Sequence, residues 1–288
     1  MKKRPIICLV AVLLGLSLAG CSSYIASFEG RMVYFPKHFP KHVLQAKPGQ
    51  SGRPFEEVFI PVESGVQIHA WYFPAHSGQV QASDLVVLVC HGNGGNISHR
   101  LDLAQLLLEA GGSVLLFDYR GFGLSSGKPG EEGTYRDAQA AWRWLSHKGF
   151  AGTNIVAYGE SLGGGVAAEL AVREVLGGLI LQSTFTSIPD MSAELLPWLP
   201  VRPVCFIKYD TLKKLPRLKI PILIMHSRQD KLIPFHHAER NFAAANQPKY
   251  FCEINGNHNE AFSASRPTFL VAIKGFLRSL SIKPVPGS

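Results

Sequence analysis

A serine hydroxyl becomes a useful nucleophile only when a histidine takes its proton and a carboxylate holds that imidazole in one tautomer. The chain carries a candidate for each part. Ser161 stands in Gly159-Glu160-Ser161-Leu162-Gly163, directly after the apolar run Ile155 to Tyr158 and at the start of a Gly-rich helical segment. A serine lifted out at a strand end needs a sharp strand-to-helix turn, and glycines on both sides relieve the clashes that turn creates. Asp230 follows the apolar run Ile222 to Met225 through His226-Ser227-Arg228-Gln229, and Leu232-Ile233-Pro234 comes next. His258 lies in Asn255-Gly256-Asn257-His258-Asn259-Glu260, just past Tyr250 to Ile254. Together these residues could perform acyl transfer through an acyl-serine, a chemistry with no requirement for a cofactor or a metal.

A tetrahedral acyl intermediate also needs two N–H donors for its oxyanion. His91-Gly92-Asn93-Gly94-Gly95-Asn96 follows the apolar run Leu85 to Cys90, and its glycines would let backbone face a substrate. The N–H groups of Leu162 and Asn93 are the candidates, one just after the serine and one in this loop. A phosphate cradle is the competing use of such a loop, but no Lys-Ser/Thr pair follows it. His91 is expected to shape the loop rather than act as a base. His236 and His237 are expected to open a helix away from the serine.

Positioning these groups requires a particular arrangement of elements. Val58 to Val62 and Val66 to Phe73 flank Glu63-Ser64-Gly65 and predict an antiparallel hairpin, with Gln67, His69 and Trp71 alternating on a partly exposed face. Wholly apolar runs then recur at Leu85 to Cys90, Val114 to Phe117, Ile155 to Tyr158, Leu179 to Leu181 and Ile222 to Met225. Strands apolar on both sides belong to a parallel sheet covered by helices. Helices are expected over Ile97 to Glu109, Thr134 to Lys148 and Ser161 to Glu174. A last one carries Phe269, Ile273, Phe276 and Leu280 on one face. The expected fold class is α/β with a mostly parallel central sheet, whose sites lie at the carboxyl ends of the strands. Nothing marks a second domain. About forty residues between the strands at Gln182 and Pro221 predict a small cap. Its apolar residues Phe185, Ile188, Met191, Leu195, Leu196, Trp198 and Leu199 could line an acyl pocket or form the buried side of a short helix.

The composition narrows the function classes. Apolar residues make up 46% of 288, enough for one sizeable core, and the formal charge of +8 includes Lys2, Lys3 and Arg4. No basic cluster interleaved with aromatics suggests nucleic-acid binding. Lys2-Lys3-Arg4, the apolar Ile6 to Leu18 and the small Ala19-Gly20 read as an export signal, because the apolar run is short for a membrane span. Leu18-Ala19-Gly20-Cys21 resembles the lipobox of bacterial lipoproteins, which implies cleavage before Cys21 and lipidation of its sulfur. Ser22 rather than Asp after the cysteine favours the outer membrane, facing the periplasm. An ordinary cleaved signal or an uncleaved anchor is the alternative. The expected organisation is a signal over 1–20, an anchor and extension over 21–54, and one catalytic domain over 55–288. Of the 5 cysteines, Cys90 and Cys252 are expected as buried core thiols and Cys205 is unassigned.

The glycine-rich loop, Asp118-Tyr119-Arg120-Gly121-Phe122-Gly123, the Ser161 pentapeptide, His226 to Asp230 and His258-Asn259-Glu260 together resemble the α/β-hydrolase superfamily. They are most similar to its subgroup of acylglycerol lipases, protein depalmitoylases and serine-aminopeptidase-like bacterial hydrolases. That resemblance covers about Val58 to Leu280. It implies the chain order Ser…Asp…His, hence a Ser161-Asp230-His258 triad, with Asp118 structural because its strand precedes the serine. The subgroup spans several substrates; an acyl pocket in the cap, together with a lipid anchor, favours a carboxylic ester or thioester with an acyl chain. An amide substrate, or a binding protein of hydrolase fold, is the other reading.

Overall fold

The computed structural model describes residues 29–37, 54–75 and 84–281, so the expected signal, Cys21 and most of the extension lie outside the described residues. The hairpin is the entry to the sheet: β1 (Glu56–Glu63) and β2 (Val66–Phe73) pair antiparallel around Ser64-Gly65, with Gly65 at φ 73°. Six further strands follow in alternation with helices. They are β3 (Val86–Cys90), β4 (Ser113–Phe117), β5 (Ile155–Glu160), β6 (Gly178–Gln182), β7 (Ile222–Ser227) and β8 (Lys249–Ile254). The spatial order is β8-β7-β6-β5-β3-β4-β2-β1, and every pair from β8 to β4 is parallel. The chain runs from β3 outward to β4 and then returns to lay β5 on the other side of β3. That reversal opens a crevice between the carboxyl ends of β3 and β5, the place where open α/β sheets hold their sites.

Helices cover both faces, as two-sided apolar strands require. One face packs against α2 (Glu131–His147) and α3 (Leu162–Arg173), with Ala138, Leu145 and Val166 in its core. The other packs against α1 (Leu101–Glu109) and α7 (Ala261–Ser281), through Leu106, Leu107, Phe269 and Ile273. Between β6 and β7 lie α4 (Ile188–Leu195), the single-turn α5 (Thr211–Lys214) and two short 3-10 turns. The helix α6 (His236–Ala244) precedes β8.

Three expectations change. The predicted helix over Ile97 to Glu109 divides, with a 3-10 turn at Ile97–Arg100 before α1, because Asn96 caps it by accepting from the Ser98 N–H. His69 and Trp71 on β2 are buried, because the Phe59 and Phe55 rings lie against them and Trp71 joins the apolar layer under α1 and α7. Glu57 on β1 makes that burial affordable: its Oε1 lies 2.7 Å from His69 Nε2 and accepts from Trp71 Nε1 at 3.2 Å. Cys252 is only half-buried, because β8 is the sheet's edge, whereas Cys90 in the central β3 is fully buried as expected.

Candidate active site

Ser161 is the hinge residue between β5 and α3, and its backbone sits at φ 54°, ψ −117°. A non-glycine residue adopts that conformation only under strain, which the surroundings must over-determine. Here backbone meets backbone. A Cβ on Gly159 would lie 2.4 Å from Gly164 Cα, and one on Gly163 would lie 1.9 Å from the Cys90 carbonyl oxygen. The Ser161 N–H donates to Gln182 O at 2.9 Å, tying the turn to β6. The glycines are therefore needed for close approach, and the strained serine points out of the sheet's end.

His258 reaches it from the loop after β8. Its Nε2 is 3.1 Å from Ser161 Oγ, and its Nδ1 is 2.7 Å from Asp230 Oδ2. Asp230 uses its other oxygen to accept from the N–H groups of Leu232 and Ile233 at 2.9 and 2.8 Å. With Oδ2 left for the imidazole, Nδ1–H donates to Asp230 and Nε2 faces the serine hydroxyl with its lone pair. Burial works against the Asp230 charge, but the His258 hydrogen bond and the Ile233 N–H overcome it and hold the carboxyl below the usual aspartate range. The three side chains expected from separate strand ends thus meet.

The chain's sequence gave no role to His226, which completes this corner. It is fully buried, its Nε2–H donates to Ile233 O at 2.9 Å, and it lies 3.7 Å from Asp230 Oδ2. Burial lowers its pKa, with the Ile233 carbonyl and Asp230 pulling the other way. A neutral imidazole here fastens the loop that presents Asp230.

The two candidate oxyanion donors flank the serine. Leu162 is the first residue of α3, where an N–H has no intrahelical acceptor. Among the described residues, neither its N–H nor that of Asn93 donates to a protein acceptor. Gly92 keeps the floor open: a Cβ there would come 3.6 Å from Ser161 Cβ. His91 Nδ1 hydrogen-bonds Gly92 O at 2.7 Å, and its Nε2 is 3.4 Å from Asp118 Oδ1. Asp118 is fully buried and accepts from the Ile97 N–H at 2.9 Å. Burial opposes its charge, yet His69 and His91 keep its pKa low. It braces the loop, on the opposite side of β3 from Asp230.

Two further partners have no local sequence signal. Segment 29–37 crosses the loop, with Phe35–Pro36 pairing parallel to Gly94–Gly95 and the Asn93 side-chain Nδ2 donating to Val33 O at 3.0 Å. Arg100 grips Glu160, beside the nucleophile, through Nε at 2.6 Å and through a second nitrogen at 3.3 Å. That pair locks the elbow to the 3-10 turn after the glycine loop.

The cap splits the residues expected to act together. Phe185 and Met191 are buried in the core, whereas Leu195, Trp198 and Leu199 are 65%, 73% and 49% exposed. A cavity of about 590 Å³ lies elsewhere, between α7 and β8 and lined by Tyr250, Cys252 and Val271, with none of the triad in its wall. Glu194, His236 and His237 have metal-ligand chemistry. However, His237 Nδ1 accepts from the Thr186 N–H at 3.1 Å, so Nε2 carries the hydrogen and is directed to Glu194 at 3.2 Å. The cluster clasps α4 to α6.

Known proteins agree with this architecture. Residues 81–209 match the family described as serine aminopeptidase. An uncharacterized protein of Mycobacterium tuberculosis is 36% identical over 96% of both chains. The alpha/beta hydrolase domain-containing protein WAV2 of Arabidopsis thaliana is 31% identical over 80% of both. Among solved structures, an esterase of Pyrococcus furiosus superimposes with a TM-score of 0.68 at 19% identity, covering 86% of this chain and 98% of that one. Relatives at this identity and coverage, on this sheet, establish the family: the chain belongs to the α/β-hydrolase superfamily and is a hydrolase by class.

Proposed function

We propose that the chain is a serine hydrolase that cleaves a carboxylic ester or thioester, with an acyl chain on the carbonyl side. Ser161 Oγ attacks the carbonyl carbon while His258 Nε2 takes the hydroxyl proton. The same imidazole then protonates the leaving alkoxide or thiolate. Water hydrolyses the acyl-serine with His258 as base, and Asp230 stabilises the imidazolium in each half. The N–H groups of Leu162 and Asn93 receive the oxyanion. The observation that carries this reading is the continuous line Ser161–His258–Asp230 at 3.1 and 2.7 Å, ending on a serine held in a strained turn.

An amide substrate is the rival, favoured by the aminopeptidase description of the matched family. An aminopeptidase needs a carboxylate free to take the substrate's ammonium. The carboxylates flanking Ser161 are committed: Glu160 to Arg100 and Asp230 to His258. That supports an ester or thioester. The setting proposed is the cell envelope, with the chain tethered through lipid on Cys21 to the outer membrane and facing the periplasm.

The test is labelling of the folded protein by a fluorophosphonate probe, with turnover of p-nitrophenyl acyl esters and of aminoacyl amides. Ser161→Ala is expected to abolish labelling and ester turnover alike. Labelling that survives this substitution removes Ser161 as nucleophile, and faster turnover of the amides reverses the substrate class.

A further inference from the structure

The apolar residues left exposed near the site are not scattered. Leu195, Trp198 and Leu199 follow one another at the end of α4, and Phe206, 47% exposed, stands on the next stretch of the cap. Segment 29–37 is bound to that stretch: the Glu29 carboxylate accepts from the Phe206 N–H at 2.8 Å, and Tyr34 and Tyr209 join through their hydroxyls at 2.9 Å. The segment adds Met32 and Phe35, 63% and 54% exposed. Phe35 donates its N–H to the carbonyl of Asn93, so this face adjoins the loop at the mouth of the site. Isolated exposed apolar residues are ordinary, but six large ones on two segments bonded to each other mark a surface that meets something apolar.

Two observations identify the occupant. The first is the chain that leads into this face. Cys21, whose sulfur is expected to carry lipid, lies only eight positions before Glu29, so the expected tether leads into the domain beside Met32 and Phe206. The second is charge. Arg31, Lys37 and Lys208 are exposed on the same two segments. The carboxylates there are engaged, Glu29 by backbone N–H groups, Asp190 by Arg202 and Arg240, and Glu194 by His236 and His237. Apolar side chains ringed by cations suit a bilayer with anionic headgroups, into whose interface Trp and Leu insert while Lys and Arg stay among the phosphates.

We propose that this face docks on an anionic bilayer and turns the mouth of the site toward it, so that an acyl substrate passes from the membrane to Ser161 without crossing water. This rests on the ester-hydrolase reading above, which it deepens by naming the substrate's source. The tether sets only proximity; the face sets orientation.

The test uses the full chain in vesicles of phosphatidylcholine and phosphatidylglycerol. Trp198 emission, isolated by difference from Trp198→Phe, is quenched by acyl-brominated lipid and shielded from aqueous iodide if the face is docked. Quenching by iodide alone overturns docking, and shielding from both assigns the face to a second copy of the chain instead. The triple change Leu195→Ser, Trp198→Ser, Leu199→Ser is expected to lower hydrolysis of a long-chain ester presented in vesicles about tenfold. Fluorophosphonate labelling and turnover of a water-soluble ester stay at the wild-type level. An unchanged vesicle rate overturns the proposal. Lipid quenching without labelling retains docking and removes the hydrolase reading, whereas labelling without lipid quenching does the reverse.

Discussion

At the scale of single residues, the site is a set of committed hydrogen bonds. Asp230 spends one oxygen on two backbone N–H groups and keeps the other for His258, which fixes both the position and the tautomer of the imidazole. Asp230→Asn keeps the shape but offers an amide that favours the wrong tautomer, so kcat is expected to fall by about 10⁴-fold with little change in thermal stability. Steady-state turnover of a soluble ester checks this. A loss under tenfold would move the orienting role away from Asp230. The glycines make a different kind of commitment. Gly163→Ala would place a methyl carbon 1.9 Å from the Cys90 carbonyl oxygen, where neither backbone can retreat. It is expected to cost about 3 kcal/mol of stability or more, as overpacking at a rigid contact does. Denaturant unfolding measures it, and a wild-type midpoint would show that the helix can shift.

At the scale of elements, two buried histidines fasten the loops and helices around the site. His226 holds the turn after β7, and His237 clasps α6 to the cap through Thr186 and Glu194. Burial lowers both pKa values, with Glu194 opposing the shift at His237. The sign follows from proton counts. Below about pH 6.5 the unfolded chain protonates both imidazoles while the folded chain resists, so stability present above that pH is lost as the pH falls. Each histidine contributes up to about 1.4 kcal/mol per pH unit through that window. Melting curves between pH 8 and pH 5 are expected to show a falling Tm, and His226→Gln to flatten part of the slope. An unaltered slope would locate the sensitivity in other groups. Asp118 and Asp230, with depressed pKa values, add their loss only in stronger acid.

At the scale of the whole molecule, the sheet's strand order decides where chemistry can occur. The return of the chain from β4 to β5 leaves the glycine loop and the serine elbow on neighbouring strands, and β7 and β8 carry Asp230 and His258 toward the same end. The proposed tether belongs to this scale too, because it would select which molecules reach that end. Feeding cells an alkyne-bearing fatty acid is expected to label the wild-type chain and not Cys21→Ala. Undiminished label in the variant would remove the tether, leaving the hydrolase reading intact because Ser161 does not depend on it.

Much of this was legible in the residues alone. Two-sided apolar runs fix a parallel sheet because nothing polar can face a helix layer, and the strain of a serine elbow demands glycines whatever the rest of the chain does. Order along the chain, with its family resemblance, points to Ser161, Asp230 and His258, and the structure brings the three within hydrogen-bond distance. The sequence could not give what depends on segments far apart in the chain. Arg100 meets Glu160 across sixty residues, and Glu29 meets Phe206 across 177. His69 and Trp71 alternate like a half-exposed strand, yet Phe55, Phe59 and the apolar layer on that face bury them. The cap's apolar residues look alike in sequence, and only their packing separates Phe185 in the core from Trp198 in solvent. Local spacing sets which groups can do chemistry, because steric strain and periodicity act between near neighbours. Which of them meet, and which face the outside, is decided by the closing of the sheet, because burial and long-range hydrogen bonds exist only once the distant segments have packed.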